Sequence, residues 1–448
     1  MIIKYHWLFR LLFSIIAVFF LISLSIRISE PSLVFTAILF LATGSLLTFP
    51  GKAYRIFQIG FFWLIIFACI QMFFFLQEYN QVFDHGGDDT YFFETWILPG
   101  YYDFADVMVD NNPYKMFTVP ASLYLRFINF IGLGSVHSFH INIINVFLGA
   151  FIPVFVYKLA TFFASQRVAQ WAAAFVIFYP FFNYQVVKVM RDVHIYMLFT
   201  VTVYLISSRI HLYTKIIYIA IILFLVVNVR KEALLYFLVL FGTYAFIIHK
   251  GIVIRGVIIL GIVIASLGVY YYMTTVVGLT LADINRFSQL YEELRQNTDS
   301  GNSIATILKN AGFMGKLISV PYIWLSPLPP PALFSLNIMT IMISLGCLFW
   351  YYLVPRGVLE LHRVAGHGNE RQSALARSLI VTFLLGSLFI SYTSGDPRHL
   401  LIFFPISVIF CFGYFENKMI KRELDLNYLT ILIGLSAVTF YIYIKFLR

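Results

Sequence analysis

Apolar residues along this chain come in runs of about 20, the length at which a helix crosses the ~30 Å hydrocarbon layer of a bilayer. The runs fall near 7–27, 31–50, 56–78, 137–160, 168–187, 193–209, 214–229, 232–249, 255–275, 335–354, 378–394, 399–415 and 427–446. They predict 13 transmembrane helices in an all-α polytopic membrane protein, with 1–448 forming one integral membrane domain. Two polar stretches interrupt the pattern, at 79–136 and 276–334. In the second, Leu281, Ile284, Phe287, Leu290 and Leu294 recur at helical spacing before the turn "NTDSGNS" and the Pro-rich "SPLPPP".

Composition sharpens this reading. Of the 448 residues, 60% are hydrophobic and only 12% charged, against about half and a quarter in soluble domains. The first run follows Lys4 and Arg10 as in a signal peptide, but "SLSIRISEPS" offers no small-residue cleavage site, so it is expected to stay as a first span. Cys69, Cys347 and Cys411 each fall inside an apolar run, which excludes a disulfide framework or a clustered zinc site. The formal charge is +10, yet the basic residues are scattered at span ends. Anionic lipid headgroups, not nucleic acid, are their expected partner.

Charge also orients the chain. Connectors on one side carry 17 of the 31 basic residues but five of the 21 carboxylates; the other side has 14 and 16. By the positive-inside rule the first side is cytoplasmic, and both 79–136 and 276–334 face outward. The largest cytoplasmic connector, 355–377, is too short for a nucleotide-binding domain, and no Walker-type phosphate loop occurs. Any chemistry is therefore expected outside, without ATP bound by this chain.

Ionisable groups at membrane depth cost roughly 2.5–3.5 kcal/mol each on insertion scales, so they need partners or a watery cavity. Several gather at the outer ends of the predicted spans. "KVMRDVH" supplies Lys188, Arg191, Asp192 and His194; "VNVRKEALL" supplies Arg230, Lys231 and Glu232; "SGDPRHLL" supplies Asp396, Arg398 and His399. On the same side, "DHGGDDTYFFETW" crowds Asp84, Asp88, Asp89 and Glu94 into eleven residues. Arginine binds phosphate oxygens bidentately and stays charged when half-buried. A carboxylate facing such a clamp can take the proton of an attacking hydroxyl, and the cations can stabilise the charge developing on a departing phosphate. The combination points to a sugar carried on a lipid phosphate.

Each residue also has a plainer role. Asp88, after two glycines, suits the cap of a helix starting near Thr90. Glu94 suits a surface pair, Arg191 and Asp192 an ordinary pair at a helix end, "VRKE" a loop of snorkelling side chains, and Arg398 a simple helix start. His85, His137 and His140 lack metal-ligand spacing. Phe92, Phe93, Trp96, Tyr101 and Tyr102 suit the aromatic belt at the headgroups. The shared sidedness of the charges carries the functional reading.

The order "GGDDTYFFE", "VPASLYLRFINFIGLGS", "NIINVFLGAFIPVFVYKLATFFASQRVAQWAAAFVIFYPFF" and "KVMRD", with the late "PRHLLIFFP", resembles polyprenyl-phosphate-sugar glycosyltransferases of the GT-C superfamily. The family 39 type, with protein O-mannosyltransferases and the bacterial aminoarabinose transferase, is the nearest pattern, over residues 84–200 and 395–406. The resemblance implies outer loops with short interfacial helices above a membrane cavity, and an Asp in the first large outer loop as catalytic base, here Asp88 or Asp89. Arg191, Arg230, Lys231 and Arg398 would then bind the donor phosphate, with Glu94, Asp192, Lys188 and His399 in support. Some members use a divalent cation at the acidic motif and others none, so a cation is left open. Two spans more than usual precede the acidic loop, and "RD" stands where a Glu is common after the fifth span. Both departures also suit O-antigen or exopolysaccharide polymerases.

The expected activity is thus a glycosyltransferase of the bacterial inner membrane, acting on the outer face with an undecaprenyl-linked sugar or oligosaccharide donor and a glycan or lipid acceptor. A lipid-linked-sugar flippase or other secondary transporter is the alternative, although no internal repeat is evident and the charges sit at one end of the spans. A non-catalytic scaffold of a polysaccharide assembly is the third reading.

Overall fold

The computed structural model describes residues 6–78, 88–109, 114–133, 137–252, 338–392 and 397–416, with isolated positions between and after them. The helical spacing at 281–294, Asp84, His85 and Asp396 lie outside these residues. Among the described residues there is no strand. Five helices among these residues are long and apolar enough to cross a membrane: Trp7–Arg27, Lys52–Glu78, Phe139–Phe163, Lys231–Ile248 and Glu370–Ile390.

The chain divides into two compact units, Met1–Ala233 with Pro405–Glu416, and Leu234–Phe404 with Asn417–Arg448. The first begins with α1 (His6–Arg27), α2 (Ser32–Thr48) and α3 (Lys52–Glu78). Short helices α4 (Asp88–Phe92), α5 (Leu98–Tyr102) and α6 (Phe104–Met108) follow, then α7 (Lys115–Phe130) and the long α8 (Phe139–Phe163). After α9 (Gln166–Phe178), α10 (Pro180–Val186), α11 (Asp192–Ser207) and α12 (Leu212–Val229), a 3₁₀ turn at Lys231–Ala233 ends the unit's first and longer segment.

The apolar run 168–187 is not one helix. It breaks at Tyr179, whose ψ of 112° is extended. Pro180 explains the break, since proline disfavours helical backbone in the residue before it and has no N–H to continue the ladder.

At the centre of this unit α3 packs against α1, α2, α8 and α9. Lipid tails are as apolar as leucine, so close helix contact rather than water exclusion must supply the adhesion. Gly44 of α2 is where that contact is tightest, with Phe57 Cζ of α3 1.9 Å from where a Cβ would stand; Gly149 of α8 marks a second close approach. A Cβ there would lie 2.3 Å from Val186 Cγ1 and 3.2 Å from Leu64 Cδ1, so α10 and α3 can approach only a glycine.

In the second unit, α13 (Leu234–Ile248) and α14 (Ile338–His367) both pack on α15 (Glu370–Tyr392), and a 3₁₀ turn follows at Pro397–Ile402; α16 (Phe404–Glu416), from Pro405 on, belongs to the first unit. The predicted connector 355–377 is almost wholly helical, because α14 runs on to His367 and only Gly368 and Asn369 separate it from α15. A Cβ on Gly368 would lie 2.6 Å from Val364 O, so glycine is required at the end of α14. Asn369 then forms a capping box: its Oδ1 accepts from Gln372 N at 3.0 Å, and its own N donates to Gln372 Oε1 at 3.2 Å. Near this end Arg363 grips Glu360 through two bonds of 2.7 and 2.6 Å, which raises the Arg363 pKa against the opposing effect of burial.

Candidate functional site

The acidic stretch forms α4 and a single π turn, Phe93–Ile97. Asp88 is the first residue of α4, two positions ahead of the predicted start at Thr90, and it is exposed. Asp89 is 3% exposed. One residue further round the helix, the environment thus switches from surface to interior. Glu94 is exposed on the π turn.

Phe92 and Phe93 are not turned outward as residues of a headgroup belt would be. They are buried, with Phe83, Ile97, Phe117, Ala121, Leu125, Ile141 and Val189, in a cluster that seats the acidic helix on α7, α8 and the "KVMRD" stretch. These rings point into the protein, Phe92 from the end of α4 and Phe93 from the first residue of the π turn, whereas Tyr102 is 74% exposed. Gly100 lets α5 meet α7: a Cβ there would strike Val107 at 2.6 Å and Ser122 Oγ at 2.8 Å. Ser122 donates to Ile97 O at 2.9 Å and Arg126 to Gly100 O at 3.0 Å, fastening the two elements.

Between α10 and α11 the chain leaves helical geometry at 187–191. Carbonyl groups there need donors, because apolar surroundings supply none. Two amides of α8 provide them. Asn142 Nδ2 donates to Val187 O at 2.5 Å, and Asn145 Nδ2 donates to Lys188 O at 2.5 Å and Met190 O at 3.0 Å. Neither asparagine was singled out from the sequence, although polar residues three apart inside an apolar run carry the signal.

This arrangement sets Lys188 and Asp89 on the wall of one small cavity, with Gln71, Met72 and Phe75 of α3 and Asn142 of α8. The cavity has room for about one water, about 10 Å³. Both amide atoms of Gln71 and the Oδ1 of Asn142 are buried there without a hydrogen-bond partner. Lys188 Nζ lies 4.4 Å from the Tyr184 ring centre.

Beside the cavity, the Arg191 guanidinium sits over Tyr114 at 4.3 Å and Phe92 at 5.5 Å, and Nη1 donates to Val229 O at 3.1 Å. Arg230 forms an ion pair with Asp192, both side chains mostly buried, and its Nε lies 3.9 Å from Glu232 Oε2. Lys231 is half-buried on the adjoining 3₁₀ turn. Residues from the predicted acidic motif and two of the predicted basic clusters therefore share one region of the first unit. Arg398 and His399 are half-buried on the 3₁₀ turn of the second unit. Among the described residues, no three His, Cys, Asp or Glu side chains converge as metal ligands would.

No family model, no curated protein and no solved structure matches this chain.

Proposed function

We propose that the protein is a membrane glycosyltransferase that takes a sugar or oligosaccharide from a polyprenyl phosphate on the outer face of the bacterial inner membrane. In this reading thirteen spans carry the chain, and a glycan or lipid supplies the accepting hydroxyl. The observation that most supports it is the contact of Arg191 with Phe92, which joins the acidic helix to the cationic segment.

The chemistry assigns different work to the two aspartates. Asp88 is exposed at the surface, where a hydroxyl can approach; Asp89 faces a cavity with no space for a sugar. Asp88 takes the proton of the acceptor hydroxyl as its oxygen bonds to the anomeric carbon. The bond from that carbon to the phosphate oxygen breaks, and the electron pair leaves with the phosphate. Arg191 and Lys231 then stabilise the departing charge. Arg230, already paired with Asp192, fixes the start of α11. Arg398 and His399 enter this reading from the sequence alone.

Reconstituted protein supplied with a polyprenyl-linked sugar should release polyprenyl phosphate when an acceptor is present. D88N should slow release by about 10²–10⁴-fold, the usual contribution of a general base. Unchanged release from D88N removes Asp88 as the base. Movement of the lipid-linked sugar between leaflets, with no polyprenyl phosphate released, replaces the transferase with a transporter.

A further inference from the structure

The small cavity beside the acidic helix is lined from α3 by Ala68, Gln71, Met72 and Phe75. Steps of three and four put these residues on one helical face, so the single polar member, Gln71, is carried inward among apolar neighbours. Gln71 is 3% exposed, and Asn142, which reaches the same cavity from α8, is 9% exposed. Among the described residues, neither amide atom of Gln71 nor Asn142 Oδ1 meets a hydrogen-bond partner. Polar atoms in that state are costly inside an apolar span, where lipid offers them nothing. A small guest in the cavity would remove the cost.

Size limits the guest first. The volume of about 10 Å³ is that of about one water molecule. The chemistry of the wall narrows the choice further. Asn142 Nδ2 is committed to Val187 O, which fixes the amide so that Oδ1 can only accept. Gln71 brings both an acceptor and a donor. A metal cation would serve only the oxygens, and an anion only the N–H. Lys188 and Asp89 both line the space, so a charged guest of either sign meets a residue of like charge. Water is neutral, and it both donates and accepts.

We propose that this cavity is a binding site for one ordered water, which accepts from Gln71 Nε2 and donates to Asn142 Oδ1. Its second hydrogen is left for a carboxylate oxygen of Asp89, since a carboxylate offers about four lone-pair positions. About three partners is the usual number for a buried water. The water thereby ties α3 and α8 to the acidic helix α4.

A density map of the full-length protein, at a resolution that shows ordered solvent, tests the site. A peak within about 2.7–3.2 Å of both Gln71 and Asn142 is expected. An empty cavity overturns the proposal. So does a peak that strengthens when sodium is exchanged for thallium, because that guest is a cation. Stability gives an independent reading. A68V fills the space and leaves both amides in place, so it should expel the water and lower the melting temperature. Q71M removes the amide that would be stranded, so A68V should lower the melting temperature less in the Q71M background. An equal loss in both backgrounds means that no water was displaced, which also overturns the proposal.

Discussion

Asn145 of α8 holds Lys188 by its backbone: the side-chain amide donates to the Lys188 carbonyl oxygen at 2.5 Å, across 43 residues of sequence, and to Met190 O at 3.0 Å. Replacing Asn145 by leucine removes a donor from two buried acceptors, of which Lys188 O keeps the backbone N–H of Met190 at 2.8 Å. An unsatisfied group costs about 1–3 kcal/mol, whereas interhelical bonds in membranes average nearer 0.6 kcal/mol. The loss in N145L is expected at about 1–3 kcal/mol in total, read as a lower melting temperature. Amine-reactive labelling of Lys188 should rise in the same variant, because the stretch that carries it is no longer pinned.

Asp192 and Arg230 form the mostly buried ion pair of the candidate site. Removing one partner leaves a charge with its main compensation gone, so D192N should destabilise by on the order of 3 kcal/mol. Replacing both, as in D192N combined with R230Q, should recover part of that loss. A double-mutant cycle on thermal unfolding measures it; additive losses would mean that the two side chains are not coupled.

Arg191 rests over the ring of Tyr114 at 4.3 Å. Lysine keeps the charge but lacks the planar fork that lies on an aromatic face and grips phosphate with two bonds. R191K should therefore melt within about 1 kcal/mol of wild type, on the scale of an exposed cation–π contact, yet lose at least about tenfold in sugar transfer. Parallel melting and release assays separate the two effects.

Gly149 admits the side chain of Val186 into the space where a Cβ would stand, 2.3 Å from Val186 Cγ1. G149L should cost about 1–3 kcal/mol through overpacking. V186A should restore part of it by vacating the contact, and a comparison of melting temperatures checks both.

Much of the architecture is legible in the apolar runs. The runs at 7–27, 56–78 and 137–160 match α1, α3 and α8 to within a few residues, because a long uncharged stretch has few other stable conformations. The break at Tyr179–Pro180 and the tight turn at Gly368–Asn369 also carried local signals, a proline and a capping sequence, though span length alone passed over them. The candidate site was less legible. Nothing local in "KVMRD" reveals that two asparagines of α8 hold it, or that Asp192 faces Arg230 from 38 residues away. Likewise, Phe92 and Phe93 read as belt residues, although packing against α7 and α8 buries both rings. Pairings across long sequence separations depend on how helices pack, which periodicity does not encode.

At 1.5 Å per residue, the 30 residues of α14 reach about 45 Å, half as far again as the ~30 Å oily layer is thick. Pro355 interrupts that length, because a proline inside a helix removes one backbone hydrogen bond and bends the axis. The turns beyond it, where Glu360 and Arg363 clasp each other, pass to α15 through Gly368 and Asn369 alone, so the end of one helix and the start of the next must shift as a single piece.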